Sequence, residues 1–206
     1  MTPTPIRERN KLEARNRILV AARSSFVHQG YESFSLRKLA QTLGYSPAAL
    51  YKHFKNKSEI FDCLAEESFQ ALVEASAKVE PLPDEDPVDR LKRGMHAYVA
   101  FGLNNPDHYR FAFLVQQSED LAPPKPRAAY EGLASRIQAC VEARRFRRLD
   151  IQFMAQSLWA AAHGVTSLLV QRPAFPWVAR DKLIAQVIDS AVASLLAEKR
   201  SLRRSA

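Results

Sequence analysis

An all-α protein of about nine helices, with a small helix-turn-helix unit at the N-terminus and a larger helical domain behind it, is what this sequence predicts. Two observations carry that expectation. Apolar residues recur at intervals of three and four, the period of an α-helix, and strand-type alternation is scarce. Only six glycines occur in 206 residues, and prolines punctuate the periodic stretches instead of interrupting them.

The elements follow in order. Ile18, Ala22 and Phe26 mark one face of a first helix, which Gly30 ends. A second starts at Ser35, whose hydroxyl can cap orphan amides while Phe34 packs on Leu39 as a hydrophobic staple. It stops at Gly44, which can take the left-handed cap conformation without a Cβ clash. A third begins at once. Ser46 caps it, Pro47 occupies the first turn where no amide hydrogen is missed, and Tyr45 with Leu50 repeats the staple. Asn56-Lys57-Ser58-Glu59 offers a capping-box-like start to a long fourth helix through Ile60, Phe61, Leu64, Leu72 and Val73 to about Val79. The segment from Glu80 to Pro87 carries three prolines and reads as a connector. Helices are then expected at roughly 88–104, 106–118, 126–146, 150–172 and 179–199, set apart by Pro106, by Pro123, Pro124 and Pro126, and by Pro173 and Pro176. The expected domains are 1–57, 58–200 and a basic tail at 201–206. Lys199, Arg200, Arg203 and Arg204 give the C-terminus its charge.

With 47% hydrophobic residues the chain can bury a core and is not of the disordered class. No run approaches the ~18 apolar residues that a membrane helix needs, and the opening MTPTPIRERNKLEARNR lacks the apolar stretch of a secretory signal. Cys63 and Cys140 are isolated, which suits a reducing compartment and offers no metal-ligand spacing. A cytoplasmic protein without metal, cofactor or membrane partner is expected. Nucleophile motifs and phosphate-cradling glycine loops are missing too, so the sequence does not read as an enzyme.

The charge is the informative quantity. Residues 1–60 hold eleven Lys or Arg against four acidic residues, a net +7 out of +8 for the whole chain. Such asymmetry points to a polyanionic partner for the N-terminal segment. In the same segment, two short, separately capped helices joined through Leu43-Gly44-Tyr45 make a helix-turn-helix. Leu36, Leu39, Ala40, Leu43, Leu50 and Phe54 supply its inward face, leaving Arg37, Lys38, Tyr51, Lys52 and His53 outward. The second helix of such a pair fits the major groove of B-DNA, about 12 Å wide, while the first crosses the backbone. Double-stranded DNA is therefore the expected partner.

The run from Ile18 to Leu64, with YSPAALYKHFKNKSEIFDCL at its centre, resembles the DNA-binding region of the TetR family of bacterial transcriptional regulators. Trp159-Ala-Ala-Ala-His163-Gly164 resembles the Trp-His-Gly signature of one C-terminal subtype in that family, and Asn105-Pro-Asp-His-Tyr-Arg-Phe111 a helix start seen there. The resemblance implies DNA contacts for Ser35, Arg37, Ser46, Pro47, Ala48, Tyr51, Lys52 and His53, with Lys57 placed for phosphate beside the fourth helix's first amides. Small Ala48 and Ala49 stand where some members carry polar base-reading groups, which shifts readout toward Arg37, Lys52 and thymine-methyl contacts.

In the last two helices, Leu183/Ile184, Val187/Ile188, Ala191/Val192 and Leu195/Leu196 form doublets every four residues, a stripe too wide for a solvent-facing helix. Pairing with Leu158, Val165 and Leu168 across two subunits would bury it in a four-helix bundle. A single subunit could also bury both stripes internally. Helix-turn-helix readers commonly span two half-sites with two-fold symmetry, which favours a homodimer through Leu158, Val165, Leu168, Leu183, Val187, Ile188, Ala191 and Leu195 on a palindromic operator. Aromatic and polar side chains between the bundle and the reading helices suggest an apolar pocket for a small-molecule effector of unknown identity, lined by Phe69, Leu72, Tyr98, Phe101, Phe111, Trp159 and His163. No basic cluster is evident within the apolar segments, which argues against a polyphosphate effector. A ligand-responsive transcriptional repressor is thus expected, with a ligand-independent architectural or cell-division DNA-binding protein as the alternative.

Overall fold

The computed structural model describes residues 6–115 and 127–197. Pro123, Pro124, Pro126 and the basic tail at 201–206, with Lys199 and Arg200, lie outside the described residues. The protein is all-α. Its described helices are α1 (Ile6–Ser33), α2 (Leu36–Leu43), α3 (Pro47–Tyr51), α4 (Lys57–Ala77), α5 (Pro87–Asn104), α6 (Pro106–Phe113), α7 (Arg127–Glu142), α8 (Ile151–Gln171) and α9 (Arg180–Ala193). No helix among the described residues is long and apolar enough to cross a membrane. Contacts divide the chain into two compact units. Described residues 6–71 and 105–115 form the first, and 72–104 and 127–197 the second.

The first unit is closed by aromatic rings. Phe26 of α1 stacks on Phe34 with ring centroids 4.0 Å apart and meets Phe61 of α4 edge-on at 5.5 Å. Ile18, Ala22, Leu39, Leu50, Phe54, Ile60 and Leu64 complete this core. The expected end of the first helix at Gly30 is a kink (φ 77°, ψ 169°), after which one further helical turn runs to Ser33. The expected domain boundary at residue 57 is displaced. Helix α4 contributes its residues up to Ala71 to this unit, with Ile60, Phe61, Leu64 and Ala65 in the N-terminal core, and α6 returns to the same core through Phe111.

In the second unit α5, α7, α8 and α9 share one core, with Leu91, Met95 and Val99 facing Ile137, Met154, Leu158, Val165, Ile184 and Ile188. Lys92 of α5 pairs with Asp189 of α9 at 2.7 Å. Helix α8 is capped by Asp150, whose carboxylate accepts from the Phe153 amide at 2.8 Å. Helix α9 ends six residues earlier than the sequence periodicity suggests. After a turn at 194–195, Leu196 forms an isolated antiparallel bridge with Phe146, the Arg147 amide donating to the Leu195 carbonyl and the Ala197 amide to the Arg145 carbonyl, each at 2.9 Å. This arrangement corrects the expected subunit face. Leu158, Val165, Ile188 and Leu195 are buried inside the unit's own core, because α5 packs on both α8 and α9 and covers the inner half of the wide stripe. Leu183, Val187 and Ala191 are half-buried at its margin, and Leu168 is 51% exposed.

Candidate nucleic-acid interface

The helix-turn-helix is built by its caps. The Ser35 hydroxyl accepts from the Lys38 amide at 3.5 Å, and Gly44 takes the left-handed conformation (φ 72°) at the other end of α2. There the Tyr45 amide reaches the Ala40 carbonyl at 2.9 Å and the Gly44 amide the Gln41 carbonyl at 3.1 Å, the paired bonds of a Schellman motif. One residue later Ser46 caps α3 by accepting from the Ala49 amide at 3.2 Å. The helix itself is short. Its last residue is Tyr51, and Lys52 and His53 lie in the turn that follows.

Anchoring this turn is Arg15, a residue with no role assigned from sequence. Its guanidinium donates to the His53 carbonyl at 2.7 Å and lies 4.0 Å from the centre of the Phe54 ring. It also approaches the carboxylate of Glu59 at 3.9 Å and the Cys63 thiol at 3.2 Å. The start of α4 is close to the expected capping box. Asn56 accepts from the Glu59 amide at 2.8 Å, but the Glu59 carboxylate reaches back to the amide of Lys55 at 2.7 Å, one residue before the cap.

Arg37, Ser46, Pro47, Ala48, Tyr51 and Lys52 are exposed, Tyr51 by 54%, and Lys38 joins them from the next position on α2. Ser35, His53 and Lys57 are half-buried. Lys57 has local partners, standing 3.7 Å from the Glu32 carboxylate and 4.1 Å from the centre of the Tyr31 ring. The basic residues of this segment therefore divide by task. Arg15 brackets the turn, and Arg23 is buried against Glu67 of α4 at 2.7 Å. Both are engaged within the fold. Their inward roles leave no mark in local sequence, since their partners lie on a helix far along the chain.

The residues expected to hold an effector do not all meet. Phe111 is buried in the first unit, 5.8 Å from Phe26 and 4.7 Å from Phe61, so it is a core residue of the reading head and not a pocket wall. Phe69 lies in that unit too, edge-on to Phe113 at 5.6 Å. In the second unit Tyr98, Trp159 and His163 come together. The Trp159 indole donates to the Tyr98 hydroxyl at 3.3 Å, and that hydroxyl lies 3.1 Å from Nδ1 of His163. A hydroxyl that accepts from indole can turn its own hydrogen to the imidazole, an arrangement that suits a neutral His163. Burial lowers its pKa in the same direction. Leu72 and Phe101 are buried in the same unit. Among the described residues no group of three or more His, Cys, Asp or Glu side chains could hold a metal ion, and the Cys140 thiol is pushed up to about 12, chiefly by burial.

Residues 18–64 match the model of bacterial regulatory proteins of the tetR family, and residues 91–195 that of the tetracyclin repressor-like C-terminal domain. The transcriptional repressor AcnR of Corynebacterium diphtheriae is 38% identical over 64 residues, 31% of this chain and 34% of that protein. The nucleoid occlusion factor SlmA of Vibrio campbellii is 37% identical over 79 residues, 38% of this chain and 39% of its own length. The matched stretch thus spans little more than a third of either relative. Among solved structures, the TetR family regulator PfmR of Thermus thermophilus superposes with a TM-score of 0.69 at 27% identity, over 88% of this chain and 100% of that one.

Proposed function

Because the chain belongs to the TetR family of bacterial regulatory proteins, we propose that it is a transcriptional repressor that binds an inverted-repeat operator as a homodimer and is released by a small, mainly hydrophobic effector. The observation that carries this reading is the exposed set Arg37, Pro47, Ala48 and Tyr51 on two capped helices whose other faces are buried, with Lys52 exposed in the turn that follows. In the major groove, Ala48 and Pro47 would meet thymine methyls, and Arg37 and Lys52 would reach guanine edges or phosphate. Ser35, Ser46, His53 and Lys57 would border the contact and position the backbone. The second unit carries the effector and dimer roles in this reading. The Tyr98–His163–Trp159 group supplies the polar end of a site whose walls include Leu72 and Phe101, and Trp159, His163 and Gly164 mark the Trp-His-Gly subtype. Leu168, Leu183, Val187 and Ala191 face the partner subunit.

The test is selection from random DNA by gel shift. Enrichment of an inverted repeat is expected, with affinity falling steeply as salt rises, because phosphate contacts release counterions. Arg37→Ala should cost about 1–3 kcal/mol and relax one operator position, whereas Lys57→Ala should weaken all sequences alike. Failure to enrich any inverted repeat would overturn the reading. The match to a nucleoid occlusion factor supports a second one, in which the same head binds DNA without a small ligand. A screen for apolar compounds that release the selected operator separates the two.

A further inference from the structure

The second unit contains a cleft of about 300 Å³ between the α4–α5 connector and helices α5 and α7, bordered by Leu82, Pro87, Arg90, Ser135 and Arg136. Three arginines gather there with a single carboxylate among the residues they pair with. Arg93 is the main partner of that carboxylate: its Nε and Nη2 donate to the two oxygens of Glu85 at 2.6 and 2.8 Å, the Leu82 amide adds a bond at 3.2 Å, and Nη2 also reaches the Glu80 carbonyl at 2.7 Å. The Arg93 guanidinium in turn holds the Glu85 carboxyl below its ordinary range. Arg136 is fixed in place without a counter-charge. Its Nη2 donates to the Ser76 carbonyl at the end of α4 at 2.9 Å, and its guanidinium crosses Gly94 of α5 so closely that a Cβ there would come within 3.2 Å of Nε. Among the described residues neither Arg90 nor Arg136 pairs with a carboxylate. The Nε of each is buried without a hydrogen-bond partner.

An unpaired buried donor on a cation costs free energy, and a second cation beside it raises the cost. Burial, then Arg90 and Arg93, lower the pKa of Arg136 accordingly. An anion in the cleft would offset the mutual repulsion of the two cations. The guanidinium fork matches a carboxylate with two parallel hydrogen bonds, and the Ser135 hydroxyl adds a third donor at the rim. Of the remaining walls, Leu82, Pro81, Pro87 and Ala139 are apolar and suit a short hydrocarbon body, while Glu85, which also lines the cleft, has its charge met by Arg93. We propose that this cleft is a binding site for a small organic carboxylate, with its head on Arg90 and Arg136 and its apolar body along Leu82 and Pro87. The site is separate from the Tyr98–His163–Trp159 group and requires nothing of the DNA-binding reading.

The experiment uses the full chain without DNA and follows thermal unfolding at constant ionic strength, with hexanoate as the probe and hexanol and inorganic phosphate as controls. Hexanoate should raise the midpoint saturably, while neither hexanol nor phosphate does so at equal concentration. Arg90→Gln removes one of the two cations that would hold the carboxylate, and should weaken hexanoate at least tenfold, each protein's shift being read against its own ligand-free midpoint. Arg90→Lys should retain part of the effect. Ser135→Phe, at an exposed position on the rim, should block the cleft and abolish it. Equal stabilisation by hexanol would show an apolar site only, and equal stabilisation by phosphate a general anion patch. Either result, or an Arg90→Gln protein that still binds hexanoate normally, would overturn the proposal.

Discussion

His163 and His108 are both buried enough that their pKa values are lowered, and for His108 the neighbouring Arg23 adds to the effect. The linkage has a definite sign. A histidine whose folded pKa lies below its unfolded value, about 6.5, binds fewer protons folded than unfolded. The stability it permits is complete above that pH and is lost as the pH falls through the folded pKa. Thermal unfolding should therefore show a midpoint that declines below about pH 6.5, toward pH 5. His163→Asn should reduce the slope, and the double variant with His108→Asn should flatten it further. An unchanged slope in the double variant would assign the acid sensitivity to other groups.

At the scale of elements, the two positive-φ glycines make unequal demands. Gly44 sits in the left-handed region that closes α2, where non-glycine residues survive at a cost of about 1–2 kcal/mol. Gly30, at φ 77° and ψ 169°, lies in a region open to essentially glycine alone, with a cost of about 1–3 kcal/mol or more. A Cβ would find open space at both, so any penalty is one of backbone and not of packing. Gly30→Ala should lower the urea midpoint more than Gly44→Ala, and Gly44→Asn should be milder than either. The caps that frame these turns were legible because they are local: Ser35, Gly44, Ser46, Pro47 and Asn56 act within a few residues of themselves. The Arg15 bracket and the gathering of Arg90 with Arg136 were not, since each joins residues from separate helices. A basic cluster in the second unit therefore exists where periodicity showed only apolar segments.

For the whole molecule the wide stripe of α9 was visible in sequence, but its division between core and surface was not. Its inner half meets α5, which lies far upstream, and no spacing rule announces that partner. The outer surface retains Phe153, Leu168, Phe175 and Val178, each more than half exposed, beside half-buried Leu183 and Val187. Leu168→Glu should yield a folded monomer by sedimentation that fails on the operator. Leu195→Glu should unfold the unit, because it buries a charge without a partner. A dimeric Leu168→Glu protein would move the subunit face elsewhere.

The position of Phe111 bears on how the protein is made. The first unit's aromatic core draws on α1, α4 and α6, while α5 lies between the last two in sequence and belongs to the other unit. A ribosome that has completed the helix-turn-helix has therefore not completed the reading head. Until α6 emerges, Phe26 and Phe61 lack one of the rings that cover them, and closing the core must wait for a contact distant in sequence. The nascent chain passes through a stage with native helices and an open aromatic face, the kind of surface on which unfinished chains associate. Synthesis from the N-terminus does not give this protein a finished first domain to wait upon the second.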